Sequence, residues 1–375
     1  MSAGSRLPVV LAHDWLTGMR GGEKVLEQMA LEFPEAPLFT LLHFEGSVSE
    51  PLEARPVHTS FLQQAPFIRS RYRYYLPLYP RAIERLRIPD CDLVLSTSHA
   101  VAKGIRKPAG AVHVCYCHTP MRYLYDQQQA YFPDSRGPKA ALRNSLLRRL
   151  RRWDVATADR VDHYLANSSF VAGRIKRHYG RDATVLHPPV DTEFFTPDLD
   201  VEREKFALYV SALAPYKRID VAIAACRRLG LELRVVGSGP EQSRLEQEAL
   251  RAGGARVRFL GRIEPEALRH LYRTATCFVQ PGVEDFGISV VEALACGCPV
   301  VALDQGGVQD VVKPGVHGVL YEGEADPAAA ADAIDKLRNM RFNSLNLIER
   351  AAAFSVARFR SKLRRFLAET PGRTL

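Results

Sequence analysis

Long apolar runs are missing from this chain. No stretch approaches the ~18 consecutive apolar residues that a membrane-spanning helix needs. The first apolar run, residues 7–12, gives way at once to His13 and Asp14. It is too short for a signal-peptide core and predicts a first buried strand and a cytoplasmic protein. Cysteine is sparse at 7, an odd count, and four of the seven form the C-x-C pairs Cys115/Cys117 and Cys296/Cys298. Structural zinc sites use wider spacing with a matching second pair or His, so reduced, buried thiols are expected instead. Gly237-x-Gly239 lacks the third glycine of a dinucleotide fingerprint, because position 242 is Gln. No nucleic-acid-binding module is recognisable, which argues against a nucleic-acid partner.

What is present describes an ordinary globular protein. The chain has 375 residues, 46% of them hydrophobic and 25% charged, which predicts two domains. The net charge of +9 is unevenly spread. Residues 1–190 hold 26 Lys/Arg against 17 Asp/Glu, whereas residues 191–375 hold 25 of each. One half is therefore expected to meet something anionic.

Strand and helix patterns alternate throughout, the signature of a parallel α/β sheet. Strands are predicted at 8–12, 38–42, 92–96, 112–117, 161–166 and 184–186, with helices at 23–31 and 170–178. The segment His187-Pro188-Pro189-Val190-Asp191 breaks the pattern and marks a linker. Strands then recur at 206–210, 231–236, 257–260, 277–280, 299–303 and 316–321. Helices are predicted at 219–229, 241–251, 265–274 and 287–296, and helical patterns fill most of 326–367. This predicts two facing Rossmann-like domains, 1–190 and 191–357, with ligands outside the carboxyl ends of strands in a cleft between them.

The segment from Glu284 to Val301 carries the chemistry. It leaves a strand, turns at Pro281-Gly282, and enters a helix through Glu284-Asp285-Phe286-Gly287-Ile288. Backbone N–H groups at the start of that helix form a ready anion site. Glu284 in the loop and Glu292 on the helix could each accept hydrogen bonds from sugar hydroxyls, with a diphosphate between them. Two D-x-D triplets, at 90–92 and 198–200, fall at a strand start and in the linker and read as incidental.

Glu284 and Glu292 reproduce an E-x7-E motif, and the surrounding segment resembles the retaining, GT-B-fold glycosyltransferases of family 4. Further segments match in order: Gly21-Gly22-Glu23-Lys24, Cys117-His118-Thr119-Pro120-Met121-Arg122-Tyr123, Asn167-Ser168-Ser169, Pro188-Pro189-Val190-Asp191, Ala214-Pro215-Tyr216-Lys217-Arg218, Gly237-Ser238-Gly239-Pro240 and Phe259-Leu260-Gly261-Arg262. The likeness spans about residues 8–370 and is strongest to bacterial mannosyltransferase-like enzymes of cell-surface polysaccharide synthesis. It implies transfer of a sugar, with GDP-mannose the first choice of donor, to a glycan or lipid-linked acceptor, with retention and without a metal or other cofactor. By that resemblance Glu284 contacts the donor sugar and Glu292 the ribose. Asp285, Phe286, Gly287 and Ile288 line the sugar and phosphates. Lys217 stabilises the leaving diphosphate, with Arg218 beside it. Gly21, Gly22 and Gly239 approach the nucleotide and Arg262 its base. His118 lies near the transferred sugar, and Asp14, Arg122 and Tyr123 belong to the acceptor side. The family's cation five residues before Lys217 is replaced by Ala212. Another GT-B enzyme, such as an epimerase or phosphorylase, and a non-catalytic sugar-nucleotide-binding protein remain alternatives.

Two basic segments stand out. Residues 67–87 hold six Arg and one acidic residue among Tyr72, Tyr74, Tyr75 and Tyr79. Residues 139–153 hold six Lys/Arg and no acid, with Leu142, Leu146, Leu147, Leu150 and Trp153 on one helical side. That pattern fits either a helix lying on the anionic inner face of the cell membrane or a core-facing helix with solvated arginines. The resemblance implies that the basic tail, about 358–375, packs back on the first domain.

Overall fold

The computed structural model describes residues 7–128, 132, 137–198, 200–251, 256–323 and 326–370. The chain forms two compact units, Met1–Pro189 with Phe359–Leu375, and Val190–Arg358. Among the described residues the first unit has seven strands, β1 (Leu7–His13), β2 (Leu38–Thr40), β3 (Val57–Thr59), β4 (Cys91–Ser98), β5 (Val112–Cys117), β6 (His163–Ala166) and β7 (Ala183–Val185). They form one parallel sheet in the order β3-β2-β1-β4-β5-β6-β7.

Alternation along each strand decides which core a side chain enters. Val9, Leu11, Leu93 and Leu95 join one core, while Val10, Ala12 and Val94 join the core on the other face. Cys115 and Cys117 share a face, as their spacing predicts. All seven cysteines are free and buried, and burial pushes the Cys115 thiol up to about 12. The helix Val356–Glu369 adds Phe359, Leu363 and Leu367 to the first core, one residue per turn. Arg360 also donates to Gln28 Oε1 at 2.7 Å, tying that helix to Gly21–Glu32. With this helix included, the first unit holds 31 Lys/Arg and 18 Asp/Glu, a net of +13, and the second holds 20 and 24, a net of −4.

Among the described residues the second unit has six strands, β8 (Phe206–Val210), β9 (Glu232–Val236), β10 (Val257–Gly261), β11 (Cys277–Gln280), β12 (Val300–Leu303) and β13 (Gly318–Tyr321), in the parallel order β10-β9-β8-β11-β12-β13. Phe206, Leu208 and Phe278 face one core, and Ala207, Tyr209, Cys277 and Val279 face the other. The fold is therefore α/β, built from two Rossmann-like parallel sheets.

Two local readings change. The first helix begins at Gly21 rather than 23, so both glycines lie in its first turn. The basic helix, Pro138–Ala156, divides its apolar stripe. Leu147 and Leu150 are buried and Trp153 packs against the same core, whereas Leu142 is 65% and Leu146 40% exposed. The arginines between them, Arg148, Arg149, Arg151 and Arg152, are exposed.

Buried histidines make the first unit acid-sensitive. His113 is fully enclosed, and burial lowers its pKa to about 4. Folded His113 stays neutral where the unfolded chain, titrating near 6.5, takes up a proton. This group's stabilisation is complete above the unfolded value and is lost as pH falls below it. Lowering the pH from 7 to 5 is expected to cost about 2 kcal/mol through His113 alone. A denaturation midpoint that holds or rises over that range contradicts the assignment.

Candidate active site

In the second unit, β11 ends at Gln280 and the chain turns into the helix Ile288–Ala295 through Gly287, whose φ is +94°. The loop between them is clamped. Glu284 O accepts the Gly307 N–H at 2.8 Å, and Glu284 bridges to Gly306. A Cβ on Gly307 would lie 2.3 Å from Asp285 O, and one on Gly306 2.4 Å from Glu284 O. Neither glycine can be replaced without moving this loop. We expect Gly307→Ala to lower the activity this loop supports at least about tenfold, since misplacing a reacting group by about 1 Å is costly; wild-type activity in that variant contradicts the clamp.

Lys217 ends a 3-10 turn, Pro215–Lys217, and its ammonium pairs with Glu284 Oε1. Both side chains are about seven-eighths buried, at 12% and 13% exposure. Gly282 permits this approach, because a Cβ there would meet Lys217 O at 2.7 Å. Glu292 is buried on the following helix and its Oε2 accepts from Tyr272 OH at 3.0 Å. Burial, then the Glu292 charge, raise the Tyr272 pKa well above its ordinary value, which keeps it a donor. Asp285 and Phe286 are buried, and Ile288 opens the helix.

The remaining second-unit candidates are dispersed. Arg218 has φ +53° and pairs with Asp220 at 3.1 Å rather than with the acidic loop. Ala212 is exposed in the loop after β8, and Arg262 is exposed just after β10. Gly237 and Gly239 have a packing role. Cβ atoms there would lie 1.9 Å from Ser211 O and 2.3 Å from Leu213 O, so their loop lies flat on the loop after β8. The D-x-D triplet at 90–92 opens β4; in the other, Leu199 lies outside the described residues.

The first unit assembles a histidine cluster of which sequence reading singled out only one member. His13 ends β1, His99 follows β4 and His118 follows β5, three adjacent strands of the sheet. Ring centroids are 6.1 Å apart for His13 and His99 and 6.4 Å for His99 and His118. Gly22 lies beneath the cluster; a Cβ there would meet His118 Nε2 at 3.5 Å. Glu23 lies 3.8 Å from His13 Nε2 and accepts the Arg20 N–H at 3.1 Å. Burial opposes its ionisation, but the His13 hydrogen bond and charge hold its carboxyl below the ordinary value. Burial, then His99, His13 and Arg122, push His118 well below its ordinary pKa, so it is neutral near pH 7. The signal that could have found all three histidines is their shared position at the carboxyl ends of central strands.

The loop after His118 is held from outside the cluster. Arg174, on the helix Ser169–Tyr179, reaches Asp126 at 2.7 Å, and its Nη1 donates to Thr119 Oγ1. Arg122 opens the 3-10 turn Arg122–Leu124, and Tyr123 OH lies 3.0 Å from Met121 Sδ. Asp14 is fully buried, its carboxylate hydrogen-bonded to backbone. Among the described residues no group of three or more His, Cys, Asp or Glu could hold a metal ion.

Residues 191–354 match the family model "Glycosyl transferases group 1", and residues 19–194 match the model "Glycosyltransferase Family 4". Each unit thus matches a glycosyltransferase domain model. Similar proteins carry the name D-inositol 3-phosphate glycosyltransferase. That of Geodermatophilus obscurus is 37% identical over 231 residues, covering 54% of this chain and 50% of the relative. That of Mycolicibacterium smegmatis is 33% identical over 222 residues, covering 53% and 51%. The match thus spans about half the length of these relatives. Their name departs from the mannosyltransferase-like resemblance of the sequence motifs. Among solved structures, Anabaena HepE in complex with UDP superposes with a TM-score of 0.70 at 18% identity, over 97% of this chain and all of that one. Sucrose-phosphate synthase from Thermosynechococcus elongatus gives 0.71 at 19%, with 97% and 100% coverage. At such identities the likeness is one of fold.

Proposed function

We propose that this protein is a retaining, metal-independent hexosyltransferase acting in polysaccharide or glycolipid synthesis. It moves a sugar from a nucleoside-diphosphate donor to a hydroxyl of a glycan or lipid-linked acceptor. The observation that carries this reading is the Lys217–Glu284 pair beside the helix Ile288–Ala295, with Glu292 held by Tyr272. A cation, a helix start and two spaced carboxylates suit a donor with a diphosphate between two hydroxylated rings. The bond from the anomeric carbon to the phosphate oxygen breaks, and one to the acceptor oxygen forms on the same face. The acceptor proton passes to the departing phosphate, whose charge Lys217 and the helix amides stabilise. GDP-mannose is the first donor to test, and UDP-glucose the second, since HepE was also crystallised with that sugar nucleotide. The name of the relatives adds inositol 3-phosphate as an acceptor, and an anionic acceptor suits a first unit of net charge +13.

A thermal-shift screen across nucleotide sugars tests the donor, because a ligand that binds the folded state raises its midpoint. Transfer measured with and without a chelator tests metal independence, and loss of activity with chelator overturns it. We place the protein in the cytoplasm, peripheral on the inner membrane face. No helix among the described residues is long and apolar enough to cross a membrane. Exposed Leu142 and Leu146 among arginines, with Phe67 and Tyr74 exposed beside Arg69, Arg71 and Arg73, suit an anionic lipid surface. Co-sedimentation with phosphatidylserine vesicles at low salt, weakened by Leu142→Glu with Leu146→Glu, is expected. Wild-type protein that stays in the supernatant overturns the membrane reading.

A further inference from the structure

Asp14 and His99 form an acid–imidazole pair whose geometry goes beyond an acceptor-side role for Asp14. The carboxylate is wholly enclosed, and both oxygens are engaged. Oδ1 accepts the N–H groups of Val101 and Ala102, each at 2.7 Å. Oδ2 accepts those of His99 at 2.7 Å and Ala100 at 2.9 Å, and lies 3.1 Å from His99 Nδ1. Asp14 therefore builds the loop after β4 and turns the His99 ring. A buried carboxylate at Nδ1 selects the tautomer with its proton there, which leaves the lone pair on Nε2.

The ring is further fixed by its edge-on contact with Trp15, at 4.7 Å between centroids. Unlike fully enclosed His13, the His99 side chain is 34% exposed. Of the three histidines at the ends of adjacent strands, His99 is thus oriented by a dedicated acid and also open to a ligand. Asp14 and Glu23 face it with negative charge, while His13 and Arg122 face it with the opposite tendency. Burial and the latter two prevail and lower its pKa, so the ring is neutral near pH 7.

We propose that His99 is a substrate-binding residue of this enzyme, its Nε2 accepting a hydrogen bond from a sugar hydroxyl, and that Asp14 is its positioning residue. The proposal rests on the glycosyltransferase reading. A neutral nitrogen acceptor held at one angle suits a hydroxyl of the donor sugar or of the acceptor. A protonated ring would lose that capacity, so activity should fall on the acid side as His99 titrates.

The test uses the full chain, with the nucleotide sugar that gives the largest thermal shift. Binding of GDP and UDP is measured by calorimetry. Donor hydrolysis without acceptor, and transfer to added inositol 3-phosphate or methyl mannoside, are followed across pH. His99→Ala is expected to cut the rate about tenfold or more, since a truncated partner leaves a hydroxyl unpaired, with nucleotide affinity and melting midpoint unchanged. His99→Gln, which keeps an acceptor atom, should recover part of the rate and lose the acid limb of the pH profile. Asp14→Asn should shift that limb. Loss of both hydrolysis and transfer identifies the donor sugar as the partner; loss of transfer alone identifies the acceptor. Normal rates in His99→Ala, or a drop accompanied by lost nucleotide binding or lowered melting, overturn the proposal. Wild-type protein that binds neither nucleotide overturns the glycosyltransferase reading itself.

Discussion

Glu284→Ala is expected to reduce sugar transfer by about 10²–10³-fold, the loss associated with removing one group that stabilises a transition state. The second unit should stay folded, because the Glu284 backbone is held independently through Gly307. The side chain's partner is Lys217, so the two residues act as a unit. Lys217→Met should cost about as much as Glu284→Ala, and the double variant little more than either, the non-additivity expected of coupled neighbours. Nucleotide affinity should depend more on Glu292. Transfer that survives Glu284→Ala, or costs that simply add, contradicts the paired assignment.

Asp154→Ala should be the most destabilising change in the first unit. Asp154 lies in the last turn of the basic helix with its carboxylate fully buried, 3.1 Å from the Lys103 ammonium. It also accepts Tyr125 OH at 2.7 Å and Tyr179 OH at 3.0 Å. Lys103 is itself only 1% exposed and donates to Thr157 Oγ1 at 3.0 Å. One carboxylate thus joins the basic helix, the loop after His118, the helix Ser169–Tyr179 and the turn that Asp14 builds. Removing it leaves a buried ammonium without its counter-ion, a change that costs about 3–5 kcal/mol. At about 2–4 °C per kcal/mol for a unit of this size, the midpoint should fall by roughly 6–20 °C. Asp154→Leu with Lys103→Met removes both charges together and should recover much of the loss. A midpoint unmoved by Asp154→Ala contradicts the hub.

How the basic helix reads depends on that anchor. Its leucine stripe allowed two interpretations, core or membrane, and the structure divides the residues between them. Leu147 and Leu150 sit against the core, while Leu142 and Leu146, nearer the N-terminus of the helix, do not. Helical spacing placed all four on one side but could not say where the core stops. Gly237 and Gly239 are a similar case. The resemblance placed their loop near the nucleotide, and the fold shows that it packs closely on the loop after β8.

The elements themselves were legible because each carries its own periodicity. The strands Phe206–Val210, Cys277–Gln280 and Val112–Cys117 and the helix Pro265–Thr274 have the limits their patterns predict. The short edge strand Val57–Thr59 was missed because three half-exposed residues carry no period. Glu284 and Glu292 were legible because a strand, a turn and a helix lie between them in one short segment.

The histidine cluster was not legible in that way. His13, His99 and His118 are 86 and 19 residues apart in sequence. They meet because β1, β4 and β5 are neighbours in a parallel sheet whose strands all end on one edge. By itself, the sequence determined the α/β class, most elements, the buried thiols and the acidic loop, since local pattern specifies each. Only the tertiary structure decided which side chains of distant strands share one sheet edge. It also showed that Asp14 is enclosed by backbone rather than open to substrate. Register and burial are properties of the assembled sheet, and no single segment contains them.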